Sequence, residues 1–152
     1  MKFKLAVAML SVSLAAGSAV AQVKPDDAIK FRQSGFTFMA WNMARIKANV
    51  DGTYNKEEVI KAANAIQAIA NSGMGALFVP GSEKGKGWKD TRVKPEAFTD
   101  KDGFAKVATA WVQQSNEMAK VAATGDAAAV KAQFGKLGET CKGCHDDFKI
   151  KD

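Results

Sequence analysis

The chain is poor in the residues that staple or interrupt small proteins: two cysteines, one histidine, three prolines and one tyrosine among 152 residues. Two cysteines cannot build a multi-bridge disulfide scaffold. One histidine rules out an iron held between two imidazoles of the same chain, and a zinc site needs more ligands than remain. Few prolines leave room for long unbroken helices. No stretch keeps up strand alternation, so the βαβ setting of a thioredoxin-like dithiol is also missing. Beyond the N-terminus, no apolar run is long enough to span a membrane. Basic residues exceed acidic ones by 22 to 16, giving a net charge of +6. That excess is mild and scattered, without interleaved aromatics, which argues against nucleic-acid binding. Lys84, Lys86, Lys89, Arg92 and Lys94 do gather, but Glu83 and Asp90 sit among them. The group reads as a solvated loop.

What is present begins with an export signal. Lys2 and Lys4 supply a positive start, residues 5–16 a short apolar core, and Ala19-Val20-Ala21 a small-x-small cleavage site. Residues 1–21 are therefore expected to be removed before Gln22. Residues 22–152 remain as one domain with no membrane span, in the bacterial periplasm.

Apolar residues then recur at helical spacing in four stretches. The first, over residues 25–50, opens on Pro25, Asp26 and Asp27, which suit the first turn and its positive end. Its seam reads Ile29, Arg32, Phe36, Met39, Met43, Ile46 and Val50, with Arg32 the one polar member. Asn55 and Glu58 suggest a capping pair before a second helix carried by Val59, Ala63, Ile66 and Ile69, with Gly73 as a stop. Residues 73–98 form a long irregular connection holding Phe78, Trp88 and Phe98, and a loop of that length usually has a role. Thr99 with Asp102 is expected to cap a third helix, carried inward by Phe104, Val107, Trp111, Met118 and Ala122. A reversal at Thr124-Gly125-Asp126 leads to the last helix, whose seam is Val130, Phe134, Leu137, Cys141, Cys144 and Phe148. Short turns favour antiparallel neighbours within the first and last helix pairs, and the predicted fold is an all-α four-helix bundle.

Near the C-terminus, Cys141-Lys142-Gly143-Cys144-His145 gathers both cysteines and the only histidine. Thiols three residues apart can add across the two vinyl groups of one haem, and the adjacent imidazole can bind the iron. A structural disulfide and a redox dithiol are the other readings of C-x-x-C. The helical phase puts Cys141, Cys144 and His145 on one buried face of the last helix. A single covalent haem c, thioether-bound through Cys141 and Cys144 with His145 as axial ligand, is the expectation. Its place is between the first and fourth helices.

C-x-x-C-H at the end of an exported four-helix chain resembles the cytochrome c′ family, the class II c-type cytochromes. The likeness runs through Lys30-Phe31-Arg32-Gln33-Ser34, Phe78-Val79-Pro80-Gly81 and Lys94-Pro95-Glu96. It ends on Cys141-Lys142-Gly143-Cys144-His145-Asp146-Asp147-Phe148-Lys149. The resemblance implies an antiparallel up-down-up-down topology for the bundle. It implies that Arg32 and Gln33 lie by the haem propionates and haem edge. An Arg in an apolar seam calls for an anion, and a propionate would serve. It also implies that Phe36 covers the open haem face, and that Met39 and Phe78 pack on the haem. Lys149 stands beside His145 where many relatives carry arginine. A homodimer through the first two helices is a further family expectation, with Trp41 facing outward.

Phe36 has no lone pair for iron, so a five-coordinate, high-spin iron is expected. Such a site, covered by a phenyl ring and lacking a distal donor, favours NO and CO over O₂. The expected role is NO buffering or sequestration, without enzymatic activity. The alternative is an electron-transfer cytochrome, with Met39 or nothing as sixth ligand, serving a redox partner protein. An enzyme of peroxidase or NO-reductase type would want a distal His, Arg or carboxylate.

Overall fold

The computed structural model describes residues 23–151; the expected signal segment lies outside them. α1 spans Pro25–Asp51, with Pro25 in its first turn and Asp26 and Asp27 at its positive end. α2 spans Lys56–Ala70, and its N-cap Asn55 accepts a hydrogen bond from the Glu58 backbone N–H. The Glu58 side chain does not turn back to complete a capping box. It pairs with Arg45 of α1, fastening the two helices.

The connection after α2 is less irregular than its composition suggests. It holds a 3₁₀ turn at Met74–Leu77, an isolated bridge between Lys86 and Asp90, and a one-turn helix α3 at Glu96–Thr99. α4 spans Lys101–Thr124 and α5 spans Ala127–Phe148. The α4 cap differs from the expected Thr99. Residues up to Thr99 are already helical in α3, so Asp100 caps α4 by accepting from the Gly103 N–H at 2.9 Å. Asp126 caps α5 as expected, accepting from the N–H groups of Ala128 at 2.9 Å and Ala129 at 3.1 Å. Gly125 between the two helices has φ +79°, the left-handed conformation that a side chain would strain.

The four long helices form a four-helix bundle. α1 packs on α2, α2 on α4 and α4 on α5, and α1 meets α5 along a thinner seam. Met39 and Ile46 of α1, Val59 and Ile66 of α2, Met118 and Ala122 of α4, and Val130 and Leu137 of α5 make one buried core. Full burial of side chains of this kind contributes about 1.5–3 kcal/mol each. Among the described residues no helix is long and apolar enough to cross a membrane.

Candidate functional site

The Cys141-Lys142-Gly143-Cys144-His145 run lies in the last two turns of α5. Cys141 and Cys144 are half-buried free thiols. Burial pushes both thiols above their ordinary pKa. Thr140 opposes the shift at Cys141, while the neighbouring Cys141 and Asp147 add to it at Cys144. At neutral pH both remain protonated. His145, at the next position on the same helix, is exposed. Partial burial nevertheless lowers its pKa, with Lys149 and Arg92 acting in the same direction and Asp146 opposing. His145 lines a shallow cleft of about 290 Å³ with Arg92, Asp146, Lys149, Ile150 and Lys151.

On α1, Phe36 packs against Trp111 of α4, with ring centroids 6.0 Å apart and planes tilted by 51°. Both rings rest on the core that contains Leu137, one turn before Cys141. Met39 is 8% exposed and belongs to that core with Ile46 and Met118. Its thioether is thus part of the packing that joins all four helices.

Arg32 is 2% exposed, and its guanidinium is bound to the connecting loop. Its guanidinium donates to the Leu77 carbonyl, the Ser82 hydroxyl and the Ser82 carbonyl, each at 2.8 Å, and to the Thr91 hydroxyl at 3.3 Å. Neutral oxygens of the connecting loop therefore suffice to bury this charge. Burial lowers its pKa from the ordinary value to about 10, which still leaves it charged at neutral pH. Gln33 holds the same loop further along. Its Nε2 donates to the Lys89 carbonyl at 2.8 Å, and its Oε1 accepts from the N–H groups of Trp88 and Lys89. The Trp88 indole donates to the Ser34 hydroxyl at 2.8 Å, and the Lys30 ammonium lies 5.2 Å from its ring centre. Phe78 belongs to an aromatic chain. Its ring centre is 6.2 Å from that of Phe98 and 4.6 Å from that of Phe104, which meets Phe148 edge-on at 5.4 Å.

Two residues assigned by sequence to a solvated loop have other work. Lys94 donates to the Asp146 and Asp147 carbonyls at 2.9 and 3.0 Å, occupying free acceptors at the end of α5. Arg92 donates to the Ile150 carbonyl, and an isolated antiparallel bridge joins Val93 to Lys149. No spacing in the sequence marks these contacts, since the partners lie more than fifty residues apart. A valine between two cations is their only local sign.

The donor set fits a haem better than a bare ion. Among the described residues no group of three or more His, Cys, Asp or Glu is placed to hold a metal. One imidazole beside two thiols matches a metal that arrives in its own macrocycle. Among the described residues the Trp111 indole N–H, on the ring that packs against Phe36, is buried without a partner, as is the Ser115 hydroxyl one turn on. Such orphans are costly in a finished core and mark an interior suited to a further polar group.

A four-helix bundle whose last helix ends in C-x-x-C-H defines the helical-bundle class of c-type cytochromes. Residues 27–149 match the family model for cytochrome c′. The cytochrome c′ of Rhodocyclus tenuis is 62% identical over 130 residues, 85% of this chain and 98% of that one. A solved cytochrome c′ with ligand-controlled dimer dissociation superposes with a TM-score of 0.83. It is 50% identical and covers 86% of this chain and 100% of its own. The cytochrome c′ of Alcaligenes xylosoxidans, solved as a ferrous variant with bound NO, has a TM-score of 0.76 at 30% identity. The match covers 86% of this chain and 98% of that one. Another variant of the same protein has also been solved with carbon monoxide bound. The chain belongs to the cytochrome c′ family. That family implies a haem c cofactor and a haem protein outside the ordinary enzymes.

Proposed function

We propose that this protein is a periplasmic cytochrome c′ that binds NO and CO on one five-coordinate haem c and buffers or sequesters NO. Cys141 and Cys144 are the thioether residues and His145 the axial ligand. The observation that carries the reading is the Phe36–Trp111 pair on the α1 side of the bundle. Phe36 has nothing to donate to iron. Met39, three residues after Phe36 on α1, is committed to the core, which supports a free sixth position in this reading. When bound, the haem supplies a ferrous iron for diatomic ligands. The residues around it shape access, with Phe36 as a steric gate against larger anions. Phe36 and Trp111 offer no imidazole, guanidinium or carboxylate to manage protons, which disfavours peroxidase or NO-reductase chemistry.

The variants of a relative solved with NO and with CO support gas binding as the role. Signal cleavage at Ala21 and export complete the proposal, leaving 22–152 as the mature domain. Arg32 and Gln33 serve the haem edge indirectly, by fixing the loop beside it. A homodimer through α1 and α2 is supported by the aromatics that α1 leaves outside: Phe31 at 52%, Phe38 at 52% and Trp41 at 53% exposure. Phe38 and Trp41 stack at 5.4 Å, with the Arg45 guanidinium 4.7 Å from the Trp41 ring centre.

The test is the absorption spectrum of the purified protein. A high-spin ferric spectrum, with ferrous protein taking up NO and CO and ferric protein reacting poorly with cyanide, is expected. A low-spin ferric spectrum with a methionine–iron charge-transfer band would overturn gas binding in favour of the electron-carrier reading.

A further inference from the structure

The segment at residues 92–94 lies along the chain that leaves α5. The Ile150 N–H donates to the Arg92 carbonyl at 2.8 Å and the Lys94 N–H to the Phe148 carbonyl at 2.9 Å. The Arg92 side chain closes back onto the Ile150 carbonyl. Lys149, held between these bonds, also caps α5 by donating its N–H to the His145 carbonyl at 3.2 Å. A splint more than fifty residues away in sequence thus sets where the chain after His145 can go.

We propose that Arg92 is a positioning residue for His145: it pins the 149–150 segment and adds a cation from another element to the cleft that His145 lines with Lys149 and Lys151. The inference rests on the reading of His145 as the iron ligand. Lys149 is a compact point charge without arginine's planar fork. Arg92 brings a guanidinium to the same cleft from another element, and its bond to Ile150 fixes that group's direction. A cation on this side favours the reduced, less positive iron. The cleft is open to water, so the effect is moderate and screened by salt.

The test uses holoprotein carrying Arg92→Ala, Arg92→Lys or His145→Gly. In Arg92→Ala at low salt, the ferrous-to-ferric ratio at a fixed applied potential should fall about threefold, equivalent to roughly 28 mV for one electron. That difference should shrink as salt is raised, and amide exchange at Lys149 and Ile150 should quicken about tenfold. Arg92→Lys should restore the ratio and leave the exchange fast, because the charge returns without the fork. Fast exchange with an unchanged ratio in Arg92→Ala would overturn the charge role and leave a mere clamp. No change in either readout would overturn the whole inference. A His145→Gly spectrum identical to the parent's would instead remove the underlying ligand assignment.

Discussion

The Arg32 guanidinium carbon lies 4.6 Å from the centre of the Phe78 ring. Both residues were expected beside a haem, and they also touch each other. Arg32 sits on α1 and Phe78 just after the 3₁₀ turn, so the contact joins the first helix to the long connection. Phe78 continues to Phe104 on α4 and from there to Phe148 at the end of α5. A cation on an aromatic face is attractive. Here it adds to the hydrogen bonds that Arg32 makes to Leu77, Ser82 and Thr91. One end of the bundle is therefore organised around a buried charge satisfied by neutral groups, next to the helix end that carries Cys144 and His145.

Arg32→Ala should lower unfolding stability by about 3 kcal/mol, because the carbonyls of Leu77 and Ser82 lose their donor while the site stays buried. Arg32→Lys should recover less than half of that loss, since one ammonium cannot serve the same oxygens. Urea unfolding measures both. A loss below about 1 kcal/mol for Arg32→Ala would contradict the role given to these bonds.

Phe36→Met tests the proposed open haem face directly. A thioether at this position should turn the ferric spectrum low-spin and weaken CO binding at least about tenfold, or about 1.4 kcal/mol. Unchanged CO affinity in a CO titration would show that Phe36 does not cover the iron.

Gly87 touches α1 where no side chain fits. An added Cβ would lie 2.7 Å from Gln33 Oε1 and 2.8 Å from the Lys30 backbone nitrogen. Gly87→Ala should push the loop off α1, costing about 1–3 kcal/mol. Trp88 should lose its bond to Ser34, and the loop should open to protease. Proteolysis at the parental rate would contradict this.

Asp126→Ala removes the acceptor for two N–H groups at the start of α5 and should cost about 1 kcal/mol. Haem content by mass should stay unchanged, because the cap lies at the opposite end of α5 from Cys141 and Cys144. Loss of covalent haem in this variant would show that attachment depends on the whole helix.

Glu58 has its pKa lowered, first by the hydrogen bond from Arg45 and then by that cation's charge. A carboxylate lowered in the folded state adds stability that is present above the unfolded glutamate value of about 4.3. That stability is lost as pH falls through the lowered folded value. Unfolding at stepped pH should therefore show parent and Glu58→Gln differing at neutral pH and converging on the acid side of that value. A difference that persists undiminished at lower pH would contradict the linkage.

Much of the fold was legible because its determinants act within one or two helical turns. Pro25 and Asp26 opened α1, Asn55 opened α2, and Asp126 opened α5 by contacts to residues a few positions on. The seam Val130, Leu137, Cys141 followed from the helical repeat alone. Asp100 escaped because a one-turn helix ended just before it, and capping depends on where the backbone leaves helical geometry. Phe36 was correctly placed on the inner side of α1, but its pairing with Trp111 depends on how α4 is rotated.

By itself, the sequence determined the helices, their order and the C-x-x-C-H run that fixes what can be attached and which imidazole is available. Those are matters of residue type and local period. Only the tertiary structure decided what Arg32, Gln33, Phe78 and Arg92 touch. The partners of Arg32 lie 45, 50 and 59 residues away. Such contacts form only after the bundle has closed and brought the long connection down onto α1 and the end of α5. No periodicity along the chain encodes that closure, because it depends on all four helices packing together.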